Sequence, residues 1–352
     1  MIMKDVFSQR LRNARVMREL SMDELCDKLN NIVSKQSISK YEKGKMMPDS
    51  TVLIELAKAL DVKVDYFFRP FSISLENVEF RKKAKLKVSE KSAINELILD
   101  KVERYIEVEN ILDITSNFTT DFSNVVVHCE EDIYPLVARL KNEWQLGEDG
   151  INNLIELLEE NKIKIIEIDA PDSFDGLSGF VDEKIPIIVL NKSFTSERKR
   201  FTALHELGHI LLRFDNNLDS KKREYLCNLF ANEMLISRDV FIRLIGHSRK
   251  NISLLELRDI QKQFGISIDA LMYKANYLNI ITDNRYKYFC ISKNKNPDFK
   301  SAVNKSVANQ EKSSRFERLV YRAMASDLLT ASKAAVLLNK PITAVREDFI
   351  LV

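Results

Sequence analysis

Arg200-Phe201-Thr202-Ala203-Leu204-His205-Glu206-Leu207-Gly208-His209 is the stretch from which the rest of this chain is best read. It sits in a segment, 195–214, whose apolar spacing predicts a helix. Histidines four residues apart lie on one helical face, so both imidazoles can reach one tetrahedral ion. Glu206 is turned by about 100° from His205, beside the ion rather than on it. A general base for an activated water belongs there. Gly208 costs about 1 kcal/mol against alanine inside a helix, which makes sense if another element packs closely. The blander reading is two core histidines on an apolar helix. With only four histidines in 352 residues, chance is a poor account of two of them falling at this spacing around a glutamate.

A catalytic ion of this kind takes a third protein ligand and leaves the fourth position open. Downstream, Glu224 and Asn228 share one face of a helix predicted over 221–236. Glu224 is the preferred third ligand, with Asn228 hydrogen-bonding a ligand imidazole. Glu233 lies nine residues past Glu224, about half a turn round the helix, and is the weaker candidate. Strands are expected over 162–169, from Ile163, Ile165, Ile166 and Ile168, and over 185–190. The second is either an edge strand that aligns an extended peptide or a plain core strand. Residues 171–179 read as a turn-rich stretch, and 286–292 as a short strand. The oxyanion partner is not legible; Tyr225 and His247 are the candidates.

These residues resemble the ImmA/IrrE family of metallopeptidases. The likeness rests on Ser178-Gly179-Phe180, a strand ending in Leu190-Asn191, the stretch quoted above, and Glu224-x-x-Cys227-Asn228-x-Phe230-Ala231-x-Glu233-x-Leu235. It covers about 130 to 280. The resemblance implies a zincin-like domain with a small sheet, with His205, His209 and Glu224 carrying Zn2+ and Glu206 catalytic. It also implies a helix-turn-helix repressor as substrate. The family's usual Met-Pro after the second helix is Ile236-Ser237 here, and its common alanine before the asparagine is Cys227. Both departures are expected to leave the ligands untouched.

Residues 1–70 read as five short helices. Ser21 and Glu24 make a capping box, Asn30-Asn31 breaks the second helix, Ser34 caps a third helix that stops at Gly44, and Pro48-Asp49 opens a fourth. Ser34-Lys35-Gln36-Ser37-Ile38-Ser39-Lys40-Tyr41-Glu42-Lys43-Gly44-Lys45 resembles the Cro/repressor type of helix-turn-helix. By that resemblance the helix after Ser34 enters the major groove of an operator. Gln36 suits adenine, Lys35 and Lys40 suit guanine or phosphate, Ser37 and Ser39 either, and Lys43 adds charge. Ile38 and Tyr41 face the core. Ten Lys/Arg against six Asp/Glu in 1–48 supply the local positive charge that phosphate contact needs. The chain as a whole, at +2, gives no such signal.

Residues 77–117 hold neither Gly nor Pro and carry apolar positions three and four apart, a long connector helix with a basic start at 81–91. The segment 312–350 returns to short helices. The expected architecture is α+β and mostly α: a helix-turn-helix domain 1–70, a helical connector 71–129, a metallopeptidase domain 130–282 and a helical segment 283–352. Cys26, Cys129, Cys227 and Cys290 are widely spaced, which argues against a zinc ribbon or a disulfide framework. With no apolar h-region and no membrane-length apolar run, a cytoplasmic protein is expected. The leading expectation is a DNA-binding, homodimeric regulator whose peptidase domain cuts a repressor or the chain itself. The alternative is a non-proteolytic transcription factor or antitoxin-like regulator whose second domain senses a metal or ligand.

Overall fold

The computed structural model describes residues 3–71, 87–114, 118, 125–182 and 184–350. Four helices and a short 3-10 turn build the N-terminal unit: α1 (Met3–Met17), α2 (Met22–Lys28), α3 (Lys35–Glu42), α4 (Ser50–Ala59) and the turn Val64–Phe68. Side-chain capping sets their starts. Ser21 and Glu24 form a reciprocal capping box, and Ser34 and Asp49 accept from the backbone amides of Ser37 and Val52. Gly44 ends the α3 segment with φ +62°, a conformation that costs glycine little. Phe7, Leu11, Leu25, Ile38, Leu56 and Phe67 are fully buried in this unit's core.

A 24-residue helix, α5 (Val88–Ile111), follows; Leu112 caps it and Asp113 turns left-handed. The expected helix start at 77 and the basic residues 81–86 lie outside the described residues. Next come β1 (Val126–Val127), α6 (Ile133–Glu143), α7 (Leu154–Glu160), β2 (Lys164–Ile168), β3 (Gly176–Val181) and β4 (Ile185–Asn191). The pair that carries the histidine motif is α8 (Ser196–Leu211) and α9 (Ser220–Leu235), joined through β5 (Arg213–Phe214). Then α10 (Arg238–Ile245), α11 (Leu254–Phe264), α12 (Ile268–Tyr277), α13 (Asp283–Lys295), α14 (Pro297–Asn304), α15 (Arg315–Ala325), α16 (Ala331–Leu338) and α17 (Ile342–Asp348) complete a mostly helical α+β fold.

Two expectations need correcting. Residues 171–179 are not all turn, because β3 begins at Gly176 and pairs antiparallel with β4, Ser178 opposite Ile188. Residues 286–292 are helical, within α13, whose start Thr282 caps; a short apolar run is ambiguous between the two states until a cap decides it. The strand order β2-β4-β3 also answers the question left open for 185–190. β4 is the central strand, and β2 and β3 are the edges.

The sheet divides two cores by the period-2 rule. Ile165, Ile188 and Leu190 face α6 to α9. Ile166, Ile168, Ile187 and Val189 face α5 and the C-terminal helices, where Ile98, Val102 and Tyr105 meet Val320, Leu337 and Val345. The connector helix is therefore one wall of a core.

The N-terminal unit is tied to α5 by buried charge. Arg10 and Glu103, 1% and 2% exposed, pair at 2.7 and 3.0 Å. Arg10 also donates to the carbonyls of Arg69 and Pro70. Arg69 binds both Asp100 and Glu103. Arg104 holds Asp100 and reaches the Leu337 carbonyl on α16.

Candidate functional site

His205, Glu206 and His209 occupy the buried middle of α8, and α9 packs across it. Gly208 permits the approach: a Cβ there would stand 3.3 Å from Phe230 and 3.4 Å from the Cys227 sulfur. The histidine rings lie at 80° with their Nε2 atoms 3.1 Å apart. Glu224 closes the triangle, with carboxylate oxygens 3.3 Å from each Nε2. Ligands bound at about 2.0–2.1 Å around a tetrahedral ion stand about 3.3 Å from one another. The two nitrogens stand close to that spacing, the carboxylate offers one oxygen to each, and one ligand atom from each residue lies within 4.8 Å of the others; two imidazoles with one carboxylate suit zinc. The histidine side chains are 7% and 2% exposed and Glu224 is 27% exposed, so the centre opens toward solvent on the Glu224 side.

Glu206 lies on α8 between the two histidines, and Ser178 on β3 donates a hydrogen bond of 2.7 Å to its Oε2. Both groups are buried. The edge strand therefore fixes the orientation of the carboxylate.

Asn228, expected on a ligand imidazole, is exposed and makes no side-chain hydrogen bond among the described residues. The side chain on His209 is instead that of Cys227, whose sulfur lies 3.3 Å from Nδ1. The expectation that this cysteine leaves the ligands untouched is overturned. With Nε2 bound to an ion, Nδ1 would carry the proton and donate it toward the sulfur. Glu233 is turned away. It is buried against Lys274 at 2.9 Å and caps α10 through the Arg238 amide at 2.7 Å.

Neither candidate oxyanion partner faces the centre with a spare group. Tyr225 gives its hydroxyl to Glu130 at 3.0 Å, and burial pushes its pKa up. His247 is exposed in the loop after α10. Glu130 also accepts from Tyr277 and Lys222, and the Lys222 bond leads in holding its carboxyl below the usual range. Asn191, quoted only as the end of a strand, binds the carbonyls of Ala170, Pro171 and Phe174 and so shapes the loop leading into β3.

In the N-terminal unit, Ile38 and Tyr41 of α3 are buried, as expected. Lys35, Gln36, Lys40 and Lys43 are exposed, and Ser37 and Ser39 are half-buried. Lys35 leans on Asp23 of α2 at 2.6 Å, a pair open to solvent on both sides. This polar face remains exposed while α1 is docked on α5.

Comparison with known proteins adds to this geometry. Residues 158–276 match the IrrE N-terminal-like domain of the M78 peptidases, and residues 11–67 match a helix-turn-helix domain. The chain joins a helix-turn-helix domain to an IrrE N-terminal-like domain. Both resemblances read from the sequence are met. Over 64 residues it is 31% identical to an uncharacterized HTH-type transcriptional regulator, YqaE, of Bacillus subtilis (strain 168), covering 18% of this chain and 53% of that protein. Over 60 residues it is 40% identical to an uncharacterized transcriptional regulator in the ATPase CF(0) region of Rhodospirillum rubrum, covering 17% of this chain and 54% of that one. The match thus spans about half the length of each curated relative. Among the described residues no helix is long and apolar enough to cross a membrane.

Proposed function

We propose that this chain is a DNA-binding regulator whose IrrE-like domain is a zinc-dependent endopeptidase acting on a helix-turn-helix repressor, in trans or on its own N-terminal module. Residues 1–70 read the operator, 130–282 carry the peptidase, and the flanking segments 71–129 and 283–352 join and complete them. The observation that carries the reading is the convergence of His205, His209 and Glu224 beside a Glu206 held by Ser178. A sensor of metal alone would have no use for that fourth, separately oriented carboxylate.

His205, His209 and Glu224 would hold the ion, which supplies Lewis acidity and lowers the pKa of a water. Glu206 takes the proton of the attacking water and passes it to the leaving amine. Ser178 keeps one Glu206 oxygen engaged, so the carboxylate meets the water in one orientation. Of the two edge strands, β3 carries Ser178 and so is the one on which an extended peptide aligns by backbone pairing. In the N-terminal unit, Lys35, Gln36, Ser37, Ser39, Lys40 and Lys43 contact an operator in double-stranded DNA. Two copies bind together, as such readers do on two-fold operators.

The test pairs wild type with Glu206→Gln, each loaded with zinc and incubated with the helix-turn-helix repressor encoded nearest the gene. A fragment made by wild type alone, and suppressed by a chelator, supports the reading. No cut in the repressor or in the protein itself, with operator binding intact, would make the chain a non-proteolytic regulator.

A further inference from the structure

A cavity of about 770 Å³ runs along the outer side of α8, between α9 and α12. The three metal-facing side chains do not line it. It begins one helical turn from them, at Phe201 four residues before His205 and at Asn228 four residues after Glu224. Residues four apart share a helix face, so the cavity and the metal-facing donors open on the same side of this helix pair.

The buried charges in its wall are already paired, while Arg198 and Arg238, about half exposed, also line it and lean on Asp175 and Asp239. Lys274, 3% exposed, gives its ammonium to Asn232, Glu233 and the Ile236 carbonyl at 2.7 to 2.9 Å. Glu197 accepts from Gln261, Ser306 and the amides of Val307 and Ala308, and Asp269 is paired with Lys293. A charged ligand group placed against Lys274 or Glu197 would lose its water without gaining a free counter-ion, which is costly. Most of the remaining surface is apolar, from Phe201, Leu229, Leu278 and the rings of Tyr225, Tyr273 and Tyr277, with Thr195, Asn228 and Ser267 as polar points in it. Tyr225 and Tyr277 spend their hydroxyls on Glu130, outside the lining, and so offer ring rather than hydroxyl.

We infer that this cavity is the subsite for a large apolar side chain, aromatic or leucine-like, next to the bond that is cut. The inference rests on the endopeptidase reading and adds a side-chain preference to it. Asn228, exposed at the junction between cavity and centre, is placed to bind the backbone of the same peptide. The volume falls in the range of ordinary ligand pockets and has room for more than one side chain. Burying one such side chain is worth about tenfold or more in affinity.

The experiment uses the full-length, zinc-loaded protein and two peptide hydroxamates that differ only in glycine or phenylalanine beside the chelating group, titrated by calorimetry. The phenylalanine compound is expected to bind about tenfold tighter or more. Ala270→Trp, which fills the cavity from α12, is expected to bring that ratio to about one and leave the glycine compound within twofold. Leu278→Trp serves the same purpose if the first variant folds poorly. Equal affinities in wild type, or a ratio that survives a correctly folded cavity-filling variant, would overturn the subsite. If neither hydroxamate binds, the metal-centre reading itself fails and takes the subsite with it.

Discussion

Ser178 reaches from the edge strand β3 to Glu206 on α8, its hydroxyl 2.7 Å from the carboxylate. Glu206→Gln is expected to retain zinc and to lose activity by about 10²–10⁴-fold, the usual worth of general acid–base help. Ser178→Ala should act through Glu206, lowering kcat by about tenfold with little change in KM. Steady-state kinetics on the cleaved repressor, with zinc content measured in parallel, separate the two. A Ser178→Ala variant that raises KM alone would place Ser178 in substrate binding instead.

The His205–His209–Glu224 cluster was legible because it is local: a spacing of four on α8, then one face of α9. What was missed depends on packing between elements. Helix geometry from Glu224 allows a neighbour at either three or four residues, Cys227 or Asn228, to turn toward the histidines. Only the approach of α9 over Gly208 selects Cys227. β3 was hidden because Gly176-Leu177-Ser178-Gly179 has too little β-branched or alternating character to announce a strand, and pairing with β4 makes it one. The N-terminal unit was legible in most detail because each start is written in a cap: Ser21, Ser34 and Asp49. The aromatic cavity draws on helices far apart in the sequence, so no single window of residues contains it.

Cys227→Ala removes the sulfur from His209 Nδ1. Groups that orient ligand imidazoles typically contribute 10–100-fold to metal affinity. A fall of about tenfold in zinc affinity is expected, read by competition with a chromophoric chelator, with helix content unchanged by circular dichroism. Unaltered affinity would make the cysteine a packing residue only.

Glu103→Ala leaves the buried Arg10 without its carboxylate, and Arg10→Ala leaves Glu103 with Arg69 as its one cation among the described residues. Each is expected to destabilise by about 3–5 kcal/mol, whereas Arg10→Met combined with Glu103→Leu should come near neutrality. Chemical unfolding of all three variants checks the non-additivity. Similar losses in the single and double variants would mean that the pair contributes through shape rather than charge.

Glu159 on α7 is 1% exposed, and burial pushes its carboxyl up to about 7 against a Ser313 hydrogen bond that works the other way. A carboxyl with a raised folded-state pKa contributes stability that is complete below its unfolded value, near 4.5, and lost as pH rises through the folded one. About 3 kcal/mol should disappear from this group between those limits. Glu159→Gln should flatten that part of the stability–pH curve, measured by urea unfolding from pH 4.5 to 7.5. A slope identical to wild type would show that the group ionises normally.

On α3, Lys40→Ala should weaken binding evenly across sequences and reduce the salt slope by about one, whereas Gln36→Ala should cost about 1–3 kcal/mol at one operator position. Fluorescence anisotropy at several salt concentrations distinguishes phosphate contact from base reading.

Arg10 belongs to the N-terminal unit by sequence but is neutralised by Glu103 of the following helix. The DNA reader therefore carries a counter-ion for a body it does not belong to. A module of that kind cannot be exchanged freely. A foreign helix-turn-helix grafted onto α5 would need its own arginine at the Arg10 position, or it would leave Glu103 short of one of its two cations among the described residues, Arg10 and Arg69. Recombination between regulators of this build is thus constrained at a residue outside both α3 and the His205–His209–Glu224 cluster.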